Sequence, residues 1–216
     1  MRAVRRAENL LSAGIHRSRS KDEMVRIFFA VPVSNDIRET VDGALRRSPI
    51  FDAPWKWIDS DNYHLTLRFL GDTEKRLLSP LRRAGGIVAG KISPFVIRLG
   101  SFGGFPGLRR PRVIFYGIEK GKEDLSHLAS LLDQEIEYLG FEGERRPFSA
   151  HLTLARIKRP IDDIIRKRLE SLEPLPEDTI QLVDRFVLMR SRLARTGVTY
   201  EVIDEFILSG IKQEQV

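Results

Sequence analysis

The tetrapeptide His64-Leu-Thr-Leu67 recurs unchanged as His151-Leu-Thr-Leu154, 87 residues later, in a chain that has only four histidines. Six histidine pairs can be compared, and at average composition the chance that any of them shares its next three residues is roughly one in a thousand. A lone His-x-Thr segment usually belongs to an ordinary strand with a polar face; a repeat points to a shared task. Side chains two apart on a strand project to one face, roughly 7 Å apart. His64 and Thr66 therefore point one way while Leu65 and Leu67 enter a core, and His151 and Thr153 do the same opposite Leu152 and Leu154. If the two strands face each other across a cleft, two imidazoles and two hydroxyls converge on one small volume. Imidazole titrates at about 6.5, so at neutral pH one ring can accept a proton while the other donates one. The threonine hydroxyls can donate to non-bridging phosphate oxygens. Such a set supports in-line attack at phosphorus, with a base on the water side and an acid on the leaving-oxygen side.

Other chemistries fare worse. Neither motif has a second histidine or a carboxylate at i+2 or i+4, and Asp72 lies eight residues past His64, which falls short of a metal-ligand set. The absence of cysteine excludes a disulfide framework, a zinc ribbon and a thiol nucleophile. Gly100-Ser-Phe-Gly-Gly-Phe-Pro-Gly107 is glycine-rich but lacks the Gly-Lys-Ser/Thr ending of a phosphate-cradling loop, and reads as a hairpin connection or a rim loop. His127 stands off the apolar stripe of its helix and reads as a surface residue, and His16 has no partner within its segment. Arg109-Arg110-x-Arg112, Arg145-Arg146 and Lys158-Arg159 fit an RNA backbone and equally fit a solvated face. Phe69 could stack a base, but its parity with Leu65 and Leu67 assigns it to the core.

The elements that must position the histidines can be read from periodicity. A strand over Val25–Val31 is followed by a helix over Asp36–Arg47, with Ile37, Val41 and Leu45 on one face and Ser34 or Asn35 as cap. Tyr63–Leu70 alternates as a strand, and a helical stretch from Asp72 through Leu81 is interrupted at Gly85-Gly86. Strands over Phe95–Leu99 and Arg112–Ile118 flank the glycine-rich loop. Leu125, Leu128, Leu132, Ile136 and Leu139 mark a long helix that Gly140 ends. A strand over His151–Ile157, a helix over Ile161–Leu172 and strands over Gln181–Met189 and Thr199–Leu208, joined by a turn around Gly197, complete the chain. No sustained βαβ period is present, which predicts an α+β fold of two mainly antiparallel sheets with flanking helices. Hydrophobic residues make up 42% of the 216, enough for a sizeable core, and no apolar run approaches the length of a membrane-spanning helix. A soluble, cytoplasmic protein is the expectation.

These residues resemble the two-histidine phosphoesterases with paired H-x-T-x motifs, and within them the RNA 2′,3′-cyclic phosphodiesterases historically called 2′-5′ RNA ligases. The resemblance runs over about residues 24–208. It includes Arg26-Ile-Phe-Phe-Ala30, His64-Leu-Thr-Leu-Arg-Phe-Leu-Gly71, Phe102-Gly-Gly-Phe-Pro106 with Pro111-Arg-Val113, and Phe148-Ser-Ala-His-Leu-Thr-Leu-Ala-Arg156, then Ser191, Leu193, Gly197 and Tyr200. Ser149-Ala150 departs from the family, where a proline is expected. The resemblance implies a bilobal, pseudo-two-fold fold with a cleft between the lobes and neither metal nor other cofactor. It implies opening of a 2′,3′-cyclic phosphate on RNA ends or nucleotides to a 2′-phosphomonoester, with 2′-5′ ligation as the reverse reaction. By position His64 matches the general acid to the 3′ oxygen, His151 the general base that activates water, and Arg156 a phosphate contact. The two motifs being identical, the residues themselves do not say which histidine does which. By strict alternation Arg156 sits opposite His151, so it needs a bulge or the strand end to turn inward. Rival readings are a non-catalytic RNA-binding clamp, whose mark would be loss of a histidine or threonine, and an enzyme for a small nucleotide such as ADP-ribose 1″,2″-cyclic phosphate.

The net charge of +6 suits an anionic partner. Half of it lies in residues 1–23, which hold six bases and three acids, while strand periodicity and the resemblance begin at Met24. Residues 1–23 therefore read as a flexible basic extension, and residues 24–216 as one bilobal unit. Deleting residues 1–23 is expected to leave thermal midpoint and turnover nearly unchanged. A large fall in either, measured side by side with the full chain, would show that the segment packs on the body or helps to form the site.

Overall fold

The computed structural model describes residues 23–144, 146–194 and 197–211; the basic extension, with His16, lies outside the described residues, as do Arg145 and part of the turn before Gly197. The strands are β1 (Met24–Pro32), β2 (Lys56–Trp57), β3 (His64–Glu74), β4 (Phe95–Phe105), β5 (Val113–Lys120), β6 (His151–Arg156), β7 (Ile180–Val183), β8 (Arg185–Ala194) and β9 (Gly197–Ile207). The helices are α1 (Asn35–Arg47), α2 (Leu78–Ala89), α3 (Lys122–Glu137) and α4 (Asp163–Glu170). The fold is α+β, and every strand pairing is antiparallel. The two expected sheets are halves of one strand order, β7-β4-β5-β6-β3-β1-β8-β9, with β2 added on β6. The order is balanced about its middle, four strands on each side. Among the described residues the halves pair strand to strand only where β3 meets β6, at Leu65 and Leu152. Within each half the motif strand lies beside a strand that a helix connects to it: β1 and α1 precede β3, β5 and α3 precede β6.

One face of the sheet carries the core. Leu65, Leu67, Leu152 and Leu154 are buried there with Ile37, Val41 and Leu45 of α1, Leu81 and Val88 of α2, and Leu125, Leu128 and Leu132 of α3. Helix α1 begins as its sequence requires, with the Ser34 side chain accepting from the Ile37 N–H at 3.4 Å. Helix α4 is capped in the same way by Asp162, which accepts from the Ile165 N–H at 2.8 Å. The opposite face holds a small cluster, Phe28, Ala30 and Val187, packed against Met189 and Tyr200. Among the described residues no helix is long and apolar enough to cross a membrane.

Several elements differ from their sequence-based expectations. Asp72 does not open a helix, because β3 continues to Glu74. Strand β4 likewise runs through the first glycines to Phe105, so the loop is confined to the residues before β5. There Gly103 lies across from Phe115, whose ring occupies the space a Cβ would need, at 2.6 Å. The predicted strand Gln181–Met189 is two strands: β7 pairs with β4 at one edge, and after Asp184 the chain crosses to pair β8 with β1. Periodicity carries no information about such a change of partner.

Helix α2 passes straight through Gly85-Gly86, and the two glycines have different reasons to be there. A Cβ at Gly85 would stand 2.5 Å from the ring of Phe206, which is wedged between Phe29 and Phe186 at centroid distances of 6.0 and 4.9 Å. A Cβ at Gly86 meets nothing within 4 Å. Gly86→Ala is therefore expected to stabilise the protein by about 1 kcal/mol through helix propensity. Gly85→Ala gains the same term but forces the aromatic stack apart, at about 1–3 kcal/mol, for a net loss. Urea unfolding of both variants checks this; equal shifts of one sign would show that the Phe206 contact does not hold the helix.

Candidate active site

The seam between the halves fixes the geometry of the repeated motifs. Leu65 pairs with Leu152 in antiparallel register, so one step to either side sets His64 across from Thr153 and Thr66 across from His151. Both leucines are fully buried on the core face, which turns the four polar side chains to the other face, where all are half-buried. The repeat thus forms a two-fold arrangement in which each histidine faces the threonine of the other copy.

Each motif strand then bulges at the same place. In the β5–β6 ladder Ile114 pairs with Ala155 but Phe115 pairs with Thr153, leaving Leu154 as the extra residue. Leu154 and Ala155 are both buried, alternation is reset, and Arg156 emerges exposed on the histidine side. The Leu154 carbonyl is satisfied by the Ile58 N–H at 2.8 Å. In the β1–β3 ladder Ala30 pairs with Thr66 and Phe29 with Arg68, leaving Leu67 as the extra residue. This overturns the assignment of Phe69 to the core: it is 46% exposed, 6.4 Å from Phe28 between ring centroids, with the Arg26 guanidinium 4.8 Å from its ring centre. Phe69 and Arg156 therefore occupy equivalent positions, each five residues past its histidine.

The histidines are held alike. His64 Nδ1 lies 2.7 Å from the Asn62 carbonyl and His151 Nδ1 lies 2.7 Å from the Ser149 carbonyl. A carbonyl only accepts, so Nδ1 carries the proton in both rings and Nε2 is left for other chemistry. Because Ser149 acts through its backbone, its departure from the expected proline leaves this contact intact. Aromatic rings flank each imidazole: Phe28 and Tyr200 stand 4.9 and 5.0 Å from His64, and Phe105 and Phe115 stand 5.0 and 5.2 Å from His151. These four residues were not singled out as imidazole supports by sequence reasoning; the repeat of aromatics on the neighbouring strands is visible only once the pairing is known.

Burial pushes both imidazoles below their ordinary pKa, against the opposing pull of the carbonyl hydrogen bonds. The Arg156 charge lowers both further, and charge on His151 lowers His64. The two rings and the guanidinium thus feel one another. A cavity of about 580 Å³ is lined by His64, Thr66, Phe69, Arg156, Ser191 and Tyr200 among others. A second, of about 1080 Å³, is lined by Thr66, Phe69, Phe105, Arg112, Ser149 and His151 among others. Sharing Thr66 and Phe69, they form one cleft along this face. Thr153 shares the face of His151, opposite Phe115 in the ladder, but lines neither cavity. His127 is exposed on α3, away from the cleft. Arg68 fastens the approach to His151: it pairs with Asp133 of α3 at 2.6 Å and Glu144 at 3.0 Å and donates to the Glu142 carbonyl.

Comparison with known proteins agrees with this two-part construction. The model of the LigT-like phosphoesterases matches twice, over residues 31–115 and 117–200, one motif in each match. An RNA 2′,3′-cyclic phosphodiesterase of Aquifex aeolicus is 30% identical over 194 residues, which are 87% of this chain and 100% of that protein. One of Geobacillus stearothermophilus is 31% identical over 188 residues, 85% of this chain but 57% of that longer protein. Among solved structures, TT0787 of Thermus thermophilus superposes with a TM-score of 0.71 at 32% identity, covering 86% of this chain and 98% of that one. E. coli LigT complexed with NADP+ gives 0.69 at 26% identity, covering 87% and 99%. With the family model matched over both halves, each carrying one histidine motif, the chain belongs to the LigT-like phosphoesterases.

Proposed function

We propose that the protein hydrolyses 2′,3′-cyclic phosphates on RNA ends or nucleotides to 2′-phosphomonoesters, without a metal ion, by acid–base catalysis between His64 and His151. The observation that carries this reading is the pair of imidazoles set two-fold about one seam, each with Nδ1 bound to a carbonyl and Nε2 free. Relatives named as RNA 2′,3′-cyclic phosphodiesterases supply the substrate class. Neutral His151 takes the proton of a water as its oxygen attacks phosphorus, and protonated His64 gives its Nε2 proton to the 3′ oxygen as the P–O3′ bond breaks. The ribose regains a 3′-hydroxyl, and exchange with solvent returns the two rings to their starting proton states. With a 5′-hydroxyl in place of water, the same displacement would break P–O3′ and form a 2′-5′ linkage, with His151 taking the hydroxyl proton and His64 protonating the 3′ oxygen. Arg156 and the hydroxyls of Thr66 and Thr153 stabilise the charge on the non-bridging oxygens; among the described residues neither hydroxyl has a partner within the protein. Charge on one imidazole opposes charge on the other, which favours the one-neutral, one-protonated state the reaction needs. Among the described residues no three histidine or carboxylate groups converge as metal ligands.

Turnover of 2′,3′-cyclic mononucleotides is expected to survive excess EDTA, with phosphorus NMR showing the 2′-phosphomonoester. Loss of activity restored by a divalent cation would overturn the metal-free mechanism, and a purely 3′ product would reverse the assignment of the leaving oxygen.

His64→Ala and His151→Ala should each cost about 10²–10⁴-fold, and the double variant should be little worse than the weaker single one, because the two act in one step. Thr66→Val and Thr153→Val should cost less. The pH profile of kcat/KM should be a bell. Because both imidazoles are held below about 6.5, the protonated acid is lost, and the neutral base gained, at lower pH than for free histidine; the optimum lies on the acid side of that value. Arg156→Gln removes a charge that lowers both rings, so both limbs should move to higher pH. The same variant should lose about 10- to 100-fold in activity, as expected for a hydrogen bond to a charged group. A monotonic profile, or limbs that move down in Arg156→Gln, would contradict the acid–base pair.

A further inference from the structure

Two basic runs that are far apart in sequence are brought side by side by the ladder that carries His151. Strand β5 pairs Val113 with Arg156, and the pairing continues outward as the Ile157 N–H donates to the Arg112 carbonyl at 2.9 Å. The hairpin residues Arg109, Arg110 and Arg112 therefore lie beside Lys158 and Arg159, and all five are exposed. Together they line a cavity of about 1240 Å³. Its acids are already committed, since Asp163 and Glu170 both bind Arg166 at 2.9 and 3.1 Å. None of the five exposed cations has an ion-pair partner among the described residues. Holding five like charges together costs self-repulsion that a solvated surface would relieve by dispersing them; a polyanion offsets it.

The cluster is continuous with the reacting centre. Arg112 lines both this cavity and the one that contains His151 and Thr66. Arg156 lines the His64 cavity and also a neighbouring one with Lys56, Lys158 and Arg159. A strand whose terminal phosphate lies between the histidines and which leaves the cleft past Arg112 or Arg156 passes directly onto these cations.

We infer that Arg109, Arg110, Arg112, Lys158 and Arg159 form a track for the sugar–phosphate backbone of single-stranded RNA 5′ to the reacting cyclic phosphate. The identity of that strand rests on the phosphodiesterase reading; the track itself rests on charge and placement. It makes the enzyme prefer an oligonucleotide end over a free nucleotide through KM, because phosphate contacts away from phosphorus bind ground and transition state alike.

The test compares wild type with Arg109→Ala/Arg110→Ala and Lys158→Ala/Arg159→Ala, none of which touches the histidine cleft. Two substrates are used, a 2′,3′-cyclic mononucleotide and a single-stranded oligoribonucleotide of about ten nucleotides ending in the cyclic phosphate. Each double variant should lose tenfold or more in kcat/KM on the oligomer, mostly through KM, and stay within about twofold on the mononucleotide. Anisotropy of the labelled oligomer between about 50 and 200 mM salt should show a steep slope, reduced by about 1.4 when two phosphate contacts are removed. Unchanged oligomer kinetics and binding in both variants would overturn the track. Equal loss on both substrates would do so as well, by assigning the residues to the cleft or the fold. Binding to phosphatidylserine vesicles without oligomer binding would assign the cations to a membrane surface and overturn it too. If wild type hydrolyses neither substrate, the phosphodiesterase reading fails, and the anisotropy still decides the track.

Discussion

Everything at the site depends on one contact, the pairing of Leu65 with Leu152 at the middle of the strand order. Among the described residues it is the only strand pairing between the halves; away from it they are tied by side chains, as where Gln181 of β7 accepts from the Ser34 N–H at 2.9 Å and donates to the Pro32 carbonyl at 2.8 Å. The core holds the pair from beneath: both leucines are completely buried, in a cluster to which all four helices contribute. Burying each contributes about 1.5–3 kcal/mol, so the energy that fixes the geometry of the histidines comes from the face they do not occupy. The antiparallel register then makes the exchange between copies unavoidable, histidine across from threonine in both directions.

The second device is the bulge at the fourth motif residue. A regular strand would return positions five past each histidine to the core face. The extra residue, Leu67 in one copy and Leu154 in the other, stays buried while the strand after it changes parity. Both copies spend a leucine on this, and both gain a side chain over the cleft. What they present differs, an aromatic ring in one half and a guanidinium in the other.

The sequence alone made much of this legible. Period-two alternation located β3 and β6, the 3.6-residue period located α1 and α3, and the repeat marked both histidines and both threonines before any pairing was known. It failed where the deciding contact is distant in sequence. The Phe69 assignment assumed unbroken alternation, and the bulge that breaks it is set by the neighbouring strand. The same ignorance left Arg156 conditional on a bulge that the β5–β6 ladder contains. Gly85-Gly86 looked like a helix break because glycine is a poor helix former, whereas Gly85 makes room for Phe206, a residue 121 positions away. Gln181–Met189 read as one strand because local pattern does not say which neighbour a strand will choose.

A symmetric pair of histidines raises a problem that the frame by itself does not solve. Identical motifs, identical carbonyl contacts and burial of both rings give no reason for one to act as acid and the other as base. The distinction must come from how the substrate is turned, and so from side chains that break the two-fold. The bulge positions differ in this way: Phe69 presents a planar, apolar ring to the cleft in one half, and Arg156 presents a positive charge in the other. Tyr200 beside His64 and Phe105 beside His151 break it again, with a hydroxyl on one flank only. The cations beyond Arg156 extend the asymmetry outward, since they continue from one half alone. Under the proposed reaction, orientation of the nucleotide decides which oxygen faces which imidazole. The chemical roles of the two histidines are then properties of the complex, imposed by the residues around them on a repeated scaffold.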